Sequence, residues 1–131
     1  MEKKNPIEEA QRYIDNAKSI LIEHGEFDAK TKTYGDRKYV KMAGNTLWNG
    51  MLVVLDAAFN IKRDKRTRPD INDYRNAIGE RNRKLLTFVN SGYSTMHLAM
   101  GYDGNQSKKV CDGGFECAAN IVELCKPMLN S

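Results

Sequence analysis

Three groups of residues in this chain could do chemistry by type and spacing. The first is Lys62-Arg63-Asp64-Lys65-Arg66-Thr67-Arg68, whose five basic side chains and one carboxylate give a local charge of +4, equal to the formal net charge of all 131 residues. Charge concentrated in this way can hold phosphate or another acidic partner, whereas the same charge spread over a surface mainly aids solubility. The segment has no aromatic residue to stack on a base and no element to read a groove. Alone it offers only salt-dependent, sequence-independent contact with a phosphate backbone. The second group is Asn82 with Arg75, Arg81 and Arg83 around it. Asparagine stands there where an apolar helical stripe should continue. Arginines beside an amide could hold a phosphate or carboxylate. A buried Asn82 could equally hydrogen-bond across a bundle to Asn45 or Asn49 and fix helix pairing, and that structural role carries more weight because no ligand contact can be read from sequence. The third group is histidine. His24 ends the first helix, where a cation suits the helix dipole. His97, beside Met96 and Met100, reads as a packing residue before it reads as a general base, and with Tyr93 it marks the one place an unfamiliar enzyme site could lie.

Recognisable catalytic machinery is missing. No GxSxG, HExxH, Walker-type glycine loop or dinucleotide fingerprint occurs, and no two carboxylates are spaced as an acid/base couple. Cys111, Cys117 and Cys125 lack the CxxC pairs and nearby histidines of structural zinc, so they read as reduced thiols of a cytoplasmic protein. No metal, cofactor or enzymatic activity is expected.

The elements that must position these residues are helical. A length of 131 residues suits one domain, and an apolar fraction of 40% with 29% charged residues is ordinary for a globular protein. The start of the chain leads into a charged amphipathic segment rather than a signal peptide, and the run from Met42 to Leu55 is too short to span a membrane. The first helix is expected over about 6–24, with Asn5 as N-cap, Pro6 at its first position and the stripe Ile7, Ala10, Ile14, Ala17, Leu21. Residues 26–34 have no period and read as a loop. The second helix, about 36–59, is apolar nearly all round in its C-terminal half, which predicts a central position combined with a dimer interface through Trp48, Leu52 and Leu55. A third helix over about 70–90, capped by Asp70, a short helix over 92–100 and a last helix over 107–126, capped by Ser107 and stopped near Pro127, complete the pattern. The expected fold is all-α: four long helices and one short one in a mainly antiparallel up-and-down bundle.

Three segments carry a resemblance to a known family. They are Tyr39-Val40-Lys41-Met42-Ala43-Gly44-Asn45-Thr46-Leu47-Trp48-Asn49-Gly50, Asp73-Tyr74-Arg75, and Met96-His97-Leu98-Ala99 leading to Tyr102-Asp103-Gly104. With them the chain resembles the HEPN superfamily of small helical bundles and, more closely, an uncharacterised bacterial family known only as a domain of unknown function. Superfamily members that cut RNA use an arginine followed a few residues later by a histidine. Counting back from His97 reaches Gly92, Ser91 and Asn90, and from His24 reaches Ser19, Lys18 and Ala17, so nuclease activity is not implied. The resemblance implies instead a domain that dimerises and pairs with a partner such as a nucleotidyltransferase. The sequence reading is therefore a non-enzymatic, dimer-forming interaction domain that contacts a protein partner or acidic ligand through Lys62, Arg63, Lys65, Arg66, Arg68, Arg81 and Asn82. Its alternative is an RNA- or nucleotide-binding protein of the HEPN type using the same basic connector.

Overall fold

The computed structural model describes residues 5–62 and 68–129. Arg63, Lys65 and Arg66 of the basic connector lie outside the described residues. Helix α1, Pro6–His24, starts as its sequence dictates: the Asn5 side chain accepts from the backbone N–H groups of Ile7 and Glu8, and proline occupies the first turn, where its missing N–H costs nothing. Ala10, Ile14, Ala17 and Leu21 are the buried face. The segment expected to be a loop contains a minimal antiparallel hairpin. In it β1, Phe27–Asp28, pairs with β2, Thr33–Tyr34, in the register Phe27 to Tyr34 and Asp28 to Thr33. Strands of two residues leave no alternating pattern to read. The hairpin is held by the chain ahead of the last helix, since Tyr34 N–H donates to the Gln106 carbonyl and Lys108 N–H to the Lys32 carbonyl.

Helix α2, Arg37–Phe59, is capped by Asp36, whose carboxylate accepts from Lys38 N–H. It packs against α1, against the helical segments that follow the connector and against the last helix, so most of its apolar surface is buried within the chain, while Leu52 and Val53 stay partly accessible and Met42 is exposed. Leu55 is fully buried, and Trp48 is 6% exposed.

The structure splits the expected third helix. Helix α3 covers Ile71–Ile78 and α4 covers Arg83–Gly92. Gly79 sits between them at φ +48°, in the left-handed region that a side chain resists, and Asn82 then caps α4 by accepting from Leu85 N–H at 3.0 Å. The polar interruption at Asn82 is thus a helix start. Its amide is used locally and does not bond to Asn45 or Asn49. Asp70 caps α3 as expected and forms a reciprocal capping box with Asp73, the two carboxylates accepting from each other's backbone N–H at 2.7 and 3.0 Å.

A second difference follows at once. The expected short helix over 92–100 is a π-helical segment, Tyr93–Tyr102, that continues α4 without a break. Its wider turn shows in the bond from Asp103 N–H to the Leu98 carbonyl, five residues back, at 2.8 Å. Helix α5, Lys108–Leu129, begins at Ser107, whose hydroxyl accepts from Val110 N–H, and it runs through Pro127 to end two residues later. No helix among the described residues is long and apolar enough to cross a membrane.

Cys111, Cys117 and Cys125 are buried free thiols on the inner face of α5. Burial pushes Cys111 and Cys117 up to about 11 and Cys125 up to about 12, from 9.0. Burial also raises Tyr34 above 10.0, aided by the charges of Cys111 and Asp112.

Two tests follow from these local features. Asn82→Ala removes the α4 cap and is expected to lower stability by about 0.5–2 kcal/mol in urea denaturation, whereas Asn82→Asp, which can still cap, should retain most of it. The thiols hold their protons more tightly in the folded chain than in the unfolded one. Their contribution is therefore complete below the unfolded value of 9.0 and is lost as pH rises through about 11 to 12. Native protein should resist a thiol reagent at about pH 8, and its urea midpoint should fall as pH is raised above that of free thiols.

Candidate functional site

Two helical segments meet backbone to backbone at the centre of the molecule. A Cβ on Gly44 of α2 would stand 2.5 Å from Met100 Cβ, 2.6 Å from Gly101 N and 2.7 Å from the Met96 carbonyl oxygen, so only glycine allows α2 and the π-helical segment to lie this close. Asn45 strengthens the contact by donating to the Gly101 carbonyl at 3.3 Å.

This contact brings two i,i+4 pairs together. Asn45 and Asn49 lie one turn apart on α2, Tyr93 and His97 one turn apart on the π-helical segment, and the four line one cleft of about 390 Å3. Trp48 and Leu52 of α2 add apolar surface, and Arg68, Pro69 and Ile71 close the side where the chain enters α3. Three aromatic rings form a continuous wall. His97 is 5.2 Å from Tyr93 and 6.1 Å from Trp48 between ring centroids, and Tyr93 meets Trp48 edge-on at 5.9 Å. Such volume, with apolar walls and a few converging polar groups, fits the about 300–1,000 Å3 typical of small-ligand sites.

The walls are fixed by polar contacts behind them. Arg75 donates from Nε to Asn90 Oδ1 at 2.7 Å and from Nη1 to Asn72 Oδ1 at 3.1 Å, and its guanidinium lies 5.8 Å from the centre of the Tyr93 ring. One side chain thereby ties α3, α4 and the π-helical segment together. The Tyr74 hydroxyl donates to Asp56 Oδ1 at 2.6 Å, which holds α3 against α2. Asp70, though it lines the cleft, is engaged in the α3 capping box.

Of the residues singled out from sequence, Arg68 lines this cleft, and Lys62 with Arg68 lines an adjoining, more open hollow of about 490 Å3 with Ile61, Pro69 and Asp73. Arg81 and Arg83 are exposed, with Arg83 paired to Glu80 at 3.5 Å, and neither they nor Asn82 lines either hollow. Of the expected dimer contacts, Leu55 lies in the core of the chain itself, Trp48 is nearly covered, and Leu52 faces the cleft. His97 is half-buried in the cleft wall, not enclosed in the core. The cleft as a unit was missed by sequence reasoning. The signal lay in the two i,i+4 pairs, but nothing local says that they face each other.

The chain belongs to the family described as "Domain of unknown function (DUF5618)", whose model matches residues 5–126. It is similar to a solved structure of a protein of unknown function from Dyadobacter fermentans, at 35% identity over 95% of both chains with a TM-score of 0.84. No curated protein matches it.

Gly44→Ala tests the contact that forms the site. The added methyl must push α2 from the π-helical segment, with an expected loss of about 1–3 kcal/mol in chemical denaturation and a changed emission of the single tryptophan, Trp48.

Proposed function

We propose that this protein is a non-enzymatic binding domain whose cleft between α2, the start of α3 and the π-helical segment receives an anionic ligand. The observation that carries this reading is the convergence of Arg68, Asn45, Asn49, Tyr93 and His97 on one aromatic-walled hollow. A guanidinium supplies charge and a planar set of donors, while the amides and the phenol supply neutral donors that orient an oxyanion without requiring a second fixed charge. A π-helical turn at the wall agrees with the frequent use of such turns at functional sites. Arg68 also ends the basic connector, so anions drawn by that segment arrive beside the cleft.

A second reading, the RNA- or nucleotide-binding protein of the HEPN type, is favoured by one specific feature. The half-buried rings of Tyr93 and His97, backed by Trp48, supply the ring surface that the connector itself lacks. A base against that wall and a phosphate against Arg68 would use both.

Trp48 is the sole tryptophan, which makes the cleft self-reporting. Titration with inorganic phosphate, phenyl phosphate and a short single-stranded RNA should change its emission, and Arg68→Gln should remove the response for every anion that binds. RNA binding that falls steeply with salt, while phenyl phosphate gives no response, would favour the second reading. No response to any of the three by correctly folded protein would contradict both.

A further inference from the structure

Apolar surface that the fold leaves uncovered gathers where α1, α5 and the β1–β2 hairpin meet. Ile22 of α1, at 83%, is the most exposed large hydrophobic side chain among the described residues, and Phe27 of β1 is 45% exposed. Ile22 stands one position past Leu21, about 100° around the axis from the buried stripe, so its own helix turns it outward. Beside it, between α1 and α5, lies a hollow of about 250 Å3 lined by Lys18, Leu21, Ile22, Tyr34, Asp112 and Phe115. Phe27 joins this face through the Tyr34 ring, 5.5 Å away between centroids. None of these residues lines the cleft between α2 and the π-helical segment. Single exposed apolar residues are ordinary, but several around one hollow mark a place where something docks.

The charges on the hollow identify the occupant. α1 contributes Lys18, one turn before Ile22, and α5 contributes Asp112, one turn before Phe115. Lys18 has no carboxylate partner among the described residues, and its ammonium lies 5.9 Å from the centre of the Phe115 ring. Asp112 pairs with Lys108 through Oδ2, and its Oδ1 accepts no hydrogen bond among the described residues. One cation and one anion on opposite walls do not select nucleic acid or an anionic membrane, which call for positive charge in excess. They select a surface carrying the same two charges in the opposite order. A second copy of this chain is such a surface. A two-fold axis running along the hollow exchanges its walls, so that α1 of each copy comes over α5 of the other. Each Lys18 then approaches the partner's Asp112, each Ile22 covers the partner's hollow, and two ion pairs rim an apolar centre, as in protein interfaces generally.

We infer that this face is a self-complementary contact through which two copies of the chain form a reversible dimer, with Ile22 as its anchor and the Lys18 and Asp112 pairs setting its register. The inference stands apart from the anion-binding reading, and it moves the dimer contact expected on α2 to α1 and α5. Both clefts of the dimer stay open, because the contact uses none of their residues.

Sedimentation velocity across a concentration series tests it. The apolar centre is small beside the about 20–30 residues a side of a standard interface, so wild type is expected to pass from monomer to dimer between about 5 and 500 μM. Ile22→Asp should keep its helical circular dichroism, since the side chain is exposed, and should raise the dissociation constant by about tenfold or more. Lys18→Asp, which sets a carboxylate against the partner's Asp112, should weaken the dimer by about as much, and combining it with Asp112→Lys should restore association. Leu52→Asp should dimerise as wild type does. Wild type that remains monomeric throughout, or that assembles beyond a dimer, would overturn the proposal. So would a dimer that survives Ile22→Asp or is lost in folded Leu52→Asp. Failure of the charge exchange to restore association would overturn the pairing of Lys18 with Asp112. Ile22→Asp should still give the Trp48 response to phenyl phosphate that wild type gives, so the two readings fail separately.

Discussion

The close contact at Gly44 is the constraint on which the rest depends. Helices ordinarily pack with their axes about 8–10 Å apart because side chains intervene. Here the glycine lets α2 reach the backbone of the π-helical segment at Met96, Met100 and Gly101. That approach sets the relative height of the two segments, and height decides which side chains face each other. The pairing of Asn45 and Asn49 with Tyr93 and His97 is a consequence of it. A wider separation would bring Trp48 into water and pull apart the ring contacts that define the cleft wall.

The π-helical geometry is the second half of the same arrangement. Its i,i+5 bonding gives more residues per turn than an α-helix, so Tyr93 and His97 are offset around the axis and their rings lie 5.2 Å apart, tilted by 33°. Continuity with α4 transmits this geometry to the connector side of the molecule. Arg75 is the link there, bonded to Asn72 and Asn90 and poised over Tyr93, so the start of α3, which carries Arg68 into the cleft, is fixed relative to the aromatic wall. Lys62 and Arg68, which flank the rest of the basic connector in sequence, both line hollows on this side of the molecule.

Much of the fold was legible in the sequence because its signals are local. The caps at Asn5, Asp70 and Ser107 and the apolar stripe of α1 need only their own few residues to be read. The split at Gly79 was signalled by a glycine and a capping residue, but the apolar spacing of Ile71, Tyr74, Ile78, Leu85 and Val89 continues across the break and masks it. All five are buried or partly buried on the same core, so one stripe serves two helices. The hairpin and the π-helical turn leave no periodic signature, one being too short and the other differing from an α-helix only in hydrogen-bond register. The cleft was least legible. Arg68 reads as part of a charged run and His97 as a packing residue, because their place in one cleft depends on a contact between residues more than fifty positions apart, Asn45 and Gly101.

The central claim is that anions are recognised in the cleft and not merely along the basic connector. The most direct measurement is a 1H–15N correlation titration of the labelled protein with phenyl phosphate, following backbone amides together with the side-chain amides of Asn45 and Asn49. The account predicts saturable shifts concentrated at those two side chains, Tyr93, His97 and Arg68, with α5 and the β1–β2 hairpin unmoved. Shifts confined to Lys62 and its neighbours in the connector, with Asn45, Asn49 and His97 silent, would contradict it.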